Sequence, residues 1–259
     1  MQSFRLLSCL DIKNGNLAKS VKFVNTKEIG DPVAAAVKYC AEGIDELALY
    51  DINASYEQRG IMLGVVKNVA DNISVPFSVG GGIASLDDAR AADAAGADKI
   101  NVNSAAVKNP ALISELVNEF GSERAVLAMD VLKVAKSAEI PSGYEIIIDG
   151  GRKPTGVDAI RWAKEGERLG AGEIVLNSID ADGTKEGFDL ELTRLVAEAV
   201  NIPVVASGGG GTPEHVYDAF VTGKADAVLV SSMLHFGDYT IKEIKDYLIK
   251  RGLPVKLNG

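Results

Sequence analysis

The sequence predicts an α/β chain whose eight parallel strands close into a barrel, on three observations. Short β-branched runs alternate with amphipathic stretches of roughly 10–14 residues, as repeated βα units around a parallel sheet require. The second half of the chain repeats the first. A length of 259 residues suits a single barrel of this kind.

The strand runs are Arg5–Asp11, Asp45–Asp51, Val75–Gly80, Asp98–Asn103, Arg124–Asp130, Gly172–Ser178, Ile202–Ser207 and Ala225–Ser231. Between them the helices carry start and stop chemistry. Asp31-Pro32 opens a helix that Gly43 closes, Asn109-Pro110 one that ends at Gly121, and Thr212-Pro213 one that ends at Gly223. Each has an N-cap acceptor, a proline at the first helical position and a glycine where φ must turn positive. The last helix starts at Thr240, with Glu243 completing a capping box and Ile241, Ile244, Tyr247 and Leu248 on one face.

An open doubly wound sheet is the competing architecture, and the internal repeat favours closure. GIDELALYD (43–51) matches GAGEIVLNS (170–178), and PFSVGGG (76–82) matches PVVASGG (203–209), both at an offset of 127. DKINVNS (98–104) matches DAVLVSS (226–232) at 128, and CLDIK (9–13) matches AMDVL (128–132) at 119. The change from 119 to 127 places eight extra residues between Asp130 and Asp158. No linker or composition break separates the halves. The expectation is one TIM-barrel domain over 1–259, built from half-barrels of about 1–123 and 124–259.

With 27 Lys and Arg against 36 Asp and Glu, the net charge is −9 and no basic run occurs, which argues against a nucleic-acid or membrane-surface partner. Cys9 and Cys40 are too few for a disulfide framework or a zinc cluster and fit a reducing compartment. No signal-peptide pattern and no long apolar run appears, so the expected setting is cytoplasmic. His215 and His235 are too far apart to make a metal site, Trp162 reads as core or interface, and Cys9 as a buried barrel thiol. No Walker loop, dinucleotide fingerprint or nucleophile elbow is present.

In such barrels chemistry sits at the C-terminal ends of the strands. Asp11 ends the first strand and Asp130 the fifth, so the repeat sets two carboxylates across the barrel mouth, where unequal environments could divide acid and base roles. SVGGGI (78–83) is followed by Asn103 and Ser104, and ASGGGG (206–211) by Ser231 and Ser232. Glycines at strand ends let backbone N–H groups close on a phosphate, helped by the short helices that follow. Two such sites on opposite halves suggest a long substrate with a phosphate at each end, and Asp182-Gly183-Thr184 lies beside the second. At the other pole, strand parity turns Arg5 inward with Asp11, and brings in Glu46, Lys99 with Asn103, and Glu173 with Asn177. Such buried charges are costly unless paired, so an ion-pair network closing the floor is the structural reading.

With these residues in place, the sequence closely resembles the cyclase subunit family of imidazole glycerol phosphate synthase, from histidine biosynthesis, over residues 5–257. The motifs that carry the likeness are CLDIKNG (9–15), DINAS (51–55), SVGGGI (78–83), NSAAV (103–107), SIDADGT (178–184), ASGGGG (206–211) and YLIKRGLPVKL (247–257). The resemblance implies that ammonia, made by a separate glutamine amidotransferase (glutaminase) subunit in a heterodimer, attacks a two-phosphate ribulosyl-formimino-aminoimidazole carboxamide ribotide. The products would be imidazole glycerol phosphate and an aminoimidazole carboxamide ribotide, with no metal or organic cofactor. The family's catalytic aspartates fall on Asp11 and Asp130. Its phosphate contacts fall on Gly82, Asn103 and Ser104 at one end and on Gly183, Gly208, Gly209, Ser231 and Ser232 at the other. Its ammonia gate falls on Arg5, Glu46, Lys99 and Glu173, and its mobile substrate-clamping lysine on Lys19. Ser20 stands where the family usually has glycine and Asn53 where it usually has threonine, departures that bear on the first loop more than on the chemistry. The rival readings are the preceding two-phosphate sugar isomerase and a repurposed paralogue delivering ammonia to another acceptor. The charged floor tells against the first, and the intact aspartate pair against the second.

Overall fold

A computed structural model describes residues 4–256, so Leu257, the end of the last motif above, lies outside the described residues. In chain order the strands are β1 Arg5–Lys13, β2 Asn16–Val21, β3 Val24–Gly30, β4 Glu46–Asp51, β5 Phe77–Gly80, β6 Lys99–Val102, β7 Ala125–Lys133, β8 Tyr144–Ile148, β9 Lys153–Asp158, β10 Glu173–Ser178, β11 Val204–Ser207 and β12 Ala227–Val230. The eight parallel strands β1, β4, β5, β6, β7, β10, β11 and β12 form a closed ring. β7 pairs β10, and β12 returns to β1 with Arg5 opposite Ala227. The fold is therefore a (β/α)8 TIM barrel, and each of the eight runs read from the sequence supplies one barrel strand.

Alternation along the strands sorts the side chains into two cores. Leu7, Cys9, Ala48, Val126, Val175, Val205, Ala227 and Leu229 fill the barrel interior. The outward residues, such as Leu6, Leu47, Val79 and Ile100, join the helices in the larger core, where Trp162 is also buried. Among the described residues no helix is long and apolar enough to cross a membrane.

Helix starts follow the repeat. Asp31 accepts hydrogen bonds from the N–H groups of Val33 and Ala34, and Asp158, 127 positions on, accepts from Ile160 and Arg161. Ser85 and Thr212, also 127 apart, cap through the N–H groups of Asp88 and His215. Thr240 and Glu243 form the reciprocal capping box.

Two helix ends differ from expectation. Asn109 does not cap the helix Ala111–Phe120; Pro110 already has helical angles, and Asn109 ends the preceding short helix Ser104–Lys108. Gly43 and Gly121 do turn to positive φ, but at the third end Lys224 takes that conformation instead of Gly223. Gly223 is needed for space, since a Cβ there would lie 2.6 Å from the Ala219 carbonyl oxygen.

Two hairpins stand above the barrel where the sequence placed no strands. β2 and β3 run back antiparallel from the end of β1, and β8 and β9 from the end of β7. The eight extra residues fall in the loop 134–143 that leads from β7 to β8, where the first half has only 14–15 between β1 and β2.

The closing helix Ile241–Lys250 is tied to the barrel by a buried lysine. Lys245 Nζ donates to the Gly43 carbonyl at 2.7 Å and to Asp45 Oδ1 at 2.6 Å, while Asp45 Oδ2 accepts the Leu6 N–H at 2.8 Å. One carboxylate thus joins the first strand, the turn before β4 and the last helix. Removing the cation breaks a buried ion pair, so Lys245→Met should cost about 3–5 kcal/mol. Urea unfolding would measure it, and a loss below about 1 kcal/mol would show the pair to be dispensable.

Candidate active site

β1 and β7 lie four steps apart in either direction around the ring, so Asp11 and Asp130 face each other across the mouth. Both line one cavity with Gly82, Asn103 and Ser104 on one flank and Gly183, Gly208, Gly209, Ser231 and Ser232 on the other. The cavity spans about 1380 Å³ of atom-free space, open rim included.

The two carboxylates have unlike surroundings. Asp11 accepts from the Cys9 thiol at 2.9 Å and from Lys19 Nζ at 3.4 Å, and Lys19 also reaches Asp182 Oδ1 at 3.2 Å. Burial alone would depress Lys19, but Asp11 and Asp182 outweigh it and hold the ammonium above its ordinary range. Asp130 has amides in place of a cation, Asn103 Nδ2 at 2.8 Å and Asn177 Nδ2 at 3.2 Å. Burial pushes its carboxyl up to about 7, with Asp182 and Asp11 adding to the rise and the two amides opposing it. Near neutrality one acid therefore keeps a share of its proton, while the other faces an ammonium.

Each glycine site uses backbone geometry closed to other residues. Gly81 and Gly82 turn to φ 86° and 77°, Gly208 and Gly209 to 89° and 103°. A Cβ at Gly82 would lie 2.6 Å from Ala54 Cβ, and one at Gly208 2.7 Å from the Ser178 carbonyl oxygen. Asn103 and Ser231 open the next loops with similar angles, φ −130°, ψ −90° and φ −138°, ψ −65°. The helices that follow, Ser104–Lys108 and Ser232–His235, are too short for a developed dipole, so N–H and O–H donors carry any anion binding rather than helix charge. Among the described residues Asn103 Oδ1, which is buried, has no hydrogen-bond partner.

The barrel floor is an alternating ring of charge. Arg5 reaches Glu46 at 2.8 Å and Glu173 at 2.5 Å; Lys99 reaches Glu46 at 2.8 Å and Glu173 at 3.1 Å. From Lys99, β6 sends Asn101 inward, and Asn103 follows two residues on, so polar groups run up one wall from the floor to Asp130. Tyr50 joins this wall by donating to Asn101 Oδ1 at 3.1 Å, and Asn101 donates to Ser78. The opposite wall is apolar, with Val175, Val205 and Leu229.

The first hairpin is closed over the mouth. The Lys22 N–H donates to the Asp182 carbonyl at 2.9 Å, and Phe23 lies so close to Gly151 that a Cβ there would come within 2.9 Å of its ring. Ser20 and Asn53 both line the cavity. His235 bonds Tyr39 at 2.6 Å and His215 receives the Gly211 N–H at 3.3 Å, both outside the acid pair. Among the described residues no group of three or more His, Cys, Asp or Glu could hold a metal ion.

Strand parity already turns Asn177 inward with Glu173, but sequence reasoning missed other polar residues of this site. Asn101 and Tyr50 were discoverable by carrying the period of two along β6 and β4. Arg152, on the unforeseen hairpin, left no signal.

Comparison with known proteins places this geometry in context. A family model described as histidine biosynthesis protein matches residues 5–240. The chain is 59% identical over 256 residues to the imidazole glycerol phosphate synthase subunit HisF of Desulfatibacillum aliphaticivorans, covering 99% of this chain and 98% of that one. It is 57% identical over 256 residues to the subunit of the same name from Solidesulfovibrio magneticus, and 55% over 257 residues to that of Desulfosudis oleivorans, each covering 99% of both chains.

The raised carboxyl of Asp130 has a thermodynamic signature. Its ordinary value is 3.8, so between about pH 4 and 7 the unfolded chain has released a proton that the folded state keeps. Stability from this group is therefore full below about 4, falls as pH rises through the window and levels off above about 7. The slope is at most about 1.4 kcal/mol per pH unit, less where cavity water screens the carboxylate. The difference in unfolding free energy between Asp130→Asn and the parent should grow across that window; a flat difference would remove the shift.

Proposed function

We propose how this chain, which belongs to the HisF family and is the cyclase subunit of imidazole glycerol phosphate synthase in histidine biosynthesis, divides its reaction between two aspartates. Asp130 supplies a proton and Asp11 accepts one. The observation that carries this reading is the pair itself: two opposed carboxylates in one cavity, one beside an ammonium and one pushed towards neutrality by burial.

The substrate is the two-phosphate ribulosyl-formimino-aminoimidazole carboxamide ribotide. One phosphate sits among Gly82, Asn103 and Ser104, and the other among Gly183, Gly208, Gly209, Ser231 and Ser232. Lys19 and Asp182 close over the middle. Ammonia from a glutaminase subunit, bound as a heterodimer, enters past Arg5, Glu46, Lys99 and Glu173 and follows the polar wall of Ser78, Asn101, Tyr50 and Asn103. It adds to the ribulosyl carbonyl, and Asp130 protonates the oxygen that leaves as water. The resulting nitrogen attacks the formimino carbon while Asp11 takes up the proton lost on ring closure. Breaking that carbon's bond to the aminoimidazole nitrogen, which takes up the proton held by Asp11, releases the carboxamide ribotide and leaves imidazole glycerol phosphate. Every step here is acid–base chemistry that the side chains themselves can supply. We place the protein in the cytoplasm, where its two free thiols suit a reducing milieu, and treat it as one domain made of half-barrels 1–123 and 124–259.

Purified protein with this substrate and saturating ammonium chloride, without glutaminase, should form product, and formation should depend on the added ammonium. Asp130→Asn and Asp11→Asn should each lower turnover by about 10²–10⁴-fold while still binding substrate. Near-parental turnover in either would refute the assignment. With rate expressed per free ammonia, turnover should decline as pH rises through about 7, because Asp130 must hold its proton; a rise across the same range would reverse the two roles.

A further inference from the structure

We propose that Arg152 is the counter-charge for the phosphate held at the Gly82, Asn103 and Ser104 end of the cavity. The inference rests on the two-phosphate reading of the site and deepens it. Among the described residues only two cationic side chains line the cavity, Lys19 and Arg152. Lys19 is committed to Asp11 and Asp182. The other cations near this end are also taken: Arg59 grips Asp51 through two hydrogen bonds of 2.6 and 2.8 Å, and Lys108 pairs Asp149 at 2.7 Å. A doubly charged phosphate monoester arriving here finds neutral donors and this one guanidinium.

Arg152 is held for the task. The tip of the second hairpin turns through three successive left-handed residues, Asp149, Gly150 and Gly151, at φ 55°, 68° and 76°. The Asp149 N–H donates to Ser104 Oγ at 2.9 Å, which fastens the tip to the phosphate site. Arg152 Nη1 donates to the Asp149 and Gly150 carbonyls, both at 3.2 Å, and its Cζ lies 4.3 Å from the centre of the Tyr56 ring. It makes no ion pair among the described residues. Among the described residues Nη2 and Nε have no hydrogen-bond partner on a side chain that lines the cavity, and a guanidinium suits two-point contact with a phosphate better than a point charge would.

The test uses the full chain with saturating ammonium chloride and the two-phosphate substrate. Arg152→Met should raise KM for that substrate about 10- to 100-fold and leave kcat within about twofold, with unchanged thermal unfolding. Arg152→Lys should fall between, and added salt should raise the parent's KM more steeply than that of Arg152→Met. Substrate lacking the phosphate at this end should bind parent and variant alike, whereas substrate lacking the other should keep the difference. An unchanged KM in an active Arg152→Met protein would overturn the role of Arg152 alone. Absence of turnover in the parent would overturn the two-phosphate reading and this inference with it.

Discussion

The hydrogen-bonded register that brings β12 back to β1, with Arg5 beside Ala227, closes the sheet, and every functional feature depends on that closure. In a closed ring the side chains of alternate residues have only the interior to occupy. One strand then carries a floor residue, a packing residue and a mouth residue in fixed succession. Arg5, Leu7, Cys9 and Asp11 are such a series, and so are Glu173, Val175 and Asn177. A slip of one residue would turn Asp11 into the helical layer and Leu10 into the cavity.

That constraint also explains how the molecule tolerates so many enclosed charges. Two anions and two cations at the floor neutralise one another, each carboxylate touching both cations. At the mouth the balance is deliberately incomplete. Lys19 is shared between Asp11 and Asp182, and Asp130 is left with two amides, which stabilise a carboxylate less than a cation would. On the proposed reading, the unequal treatment of two residues related by the repeat divides acid and base roles between them.

The barrel and most of the site were legible because period-two alternation and the duplication are both local properties of the text. Matching segments at offsets of 127 and 128 identified both glycine sites, and the parity of β1 identified the floor. The hairpins were not legible. NLAKSV and VNTKEIG alternate poorly, and KPTGVD holds both a proline and a glycine. Their strand character comes from pairing with the ends of β1 and β7, a tertiary effect that local propensity does not record. Arg152 and the closure of the first loop went unseen for the same reason. Gly223 misled in another way: glycine after a helix suggests a left-handed turn, but here the close Ala219 carbonyl demands the missing side chain.

The contact between Phe23 and Gly151 has a consequence for how the duplicated arms came to differ. They grow from equivalent strands, yet one tip offers an aromatic ring and the other a bare peptide. Two identical arms could not meet this way, since ring would confront ring or glycine would confront glycine. Sealing the roof therefore required divergence after duplication at the tips themselves, since the surplus length of the second copy lies in the loop 134–143 and the two hairpins, 16–30 and 144–158, are equally long.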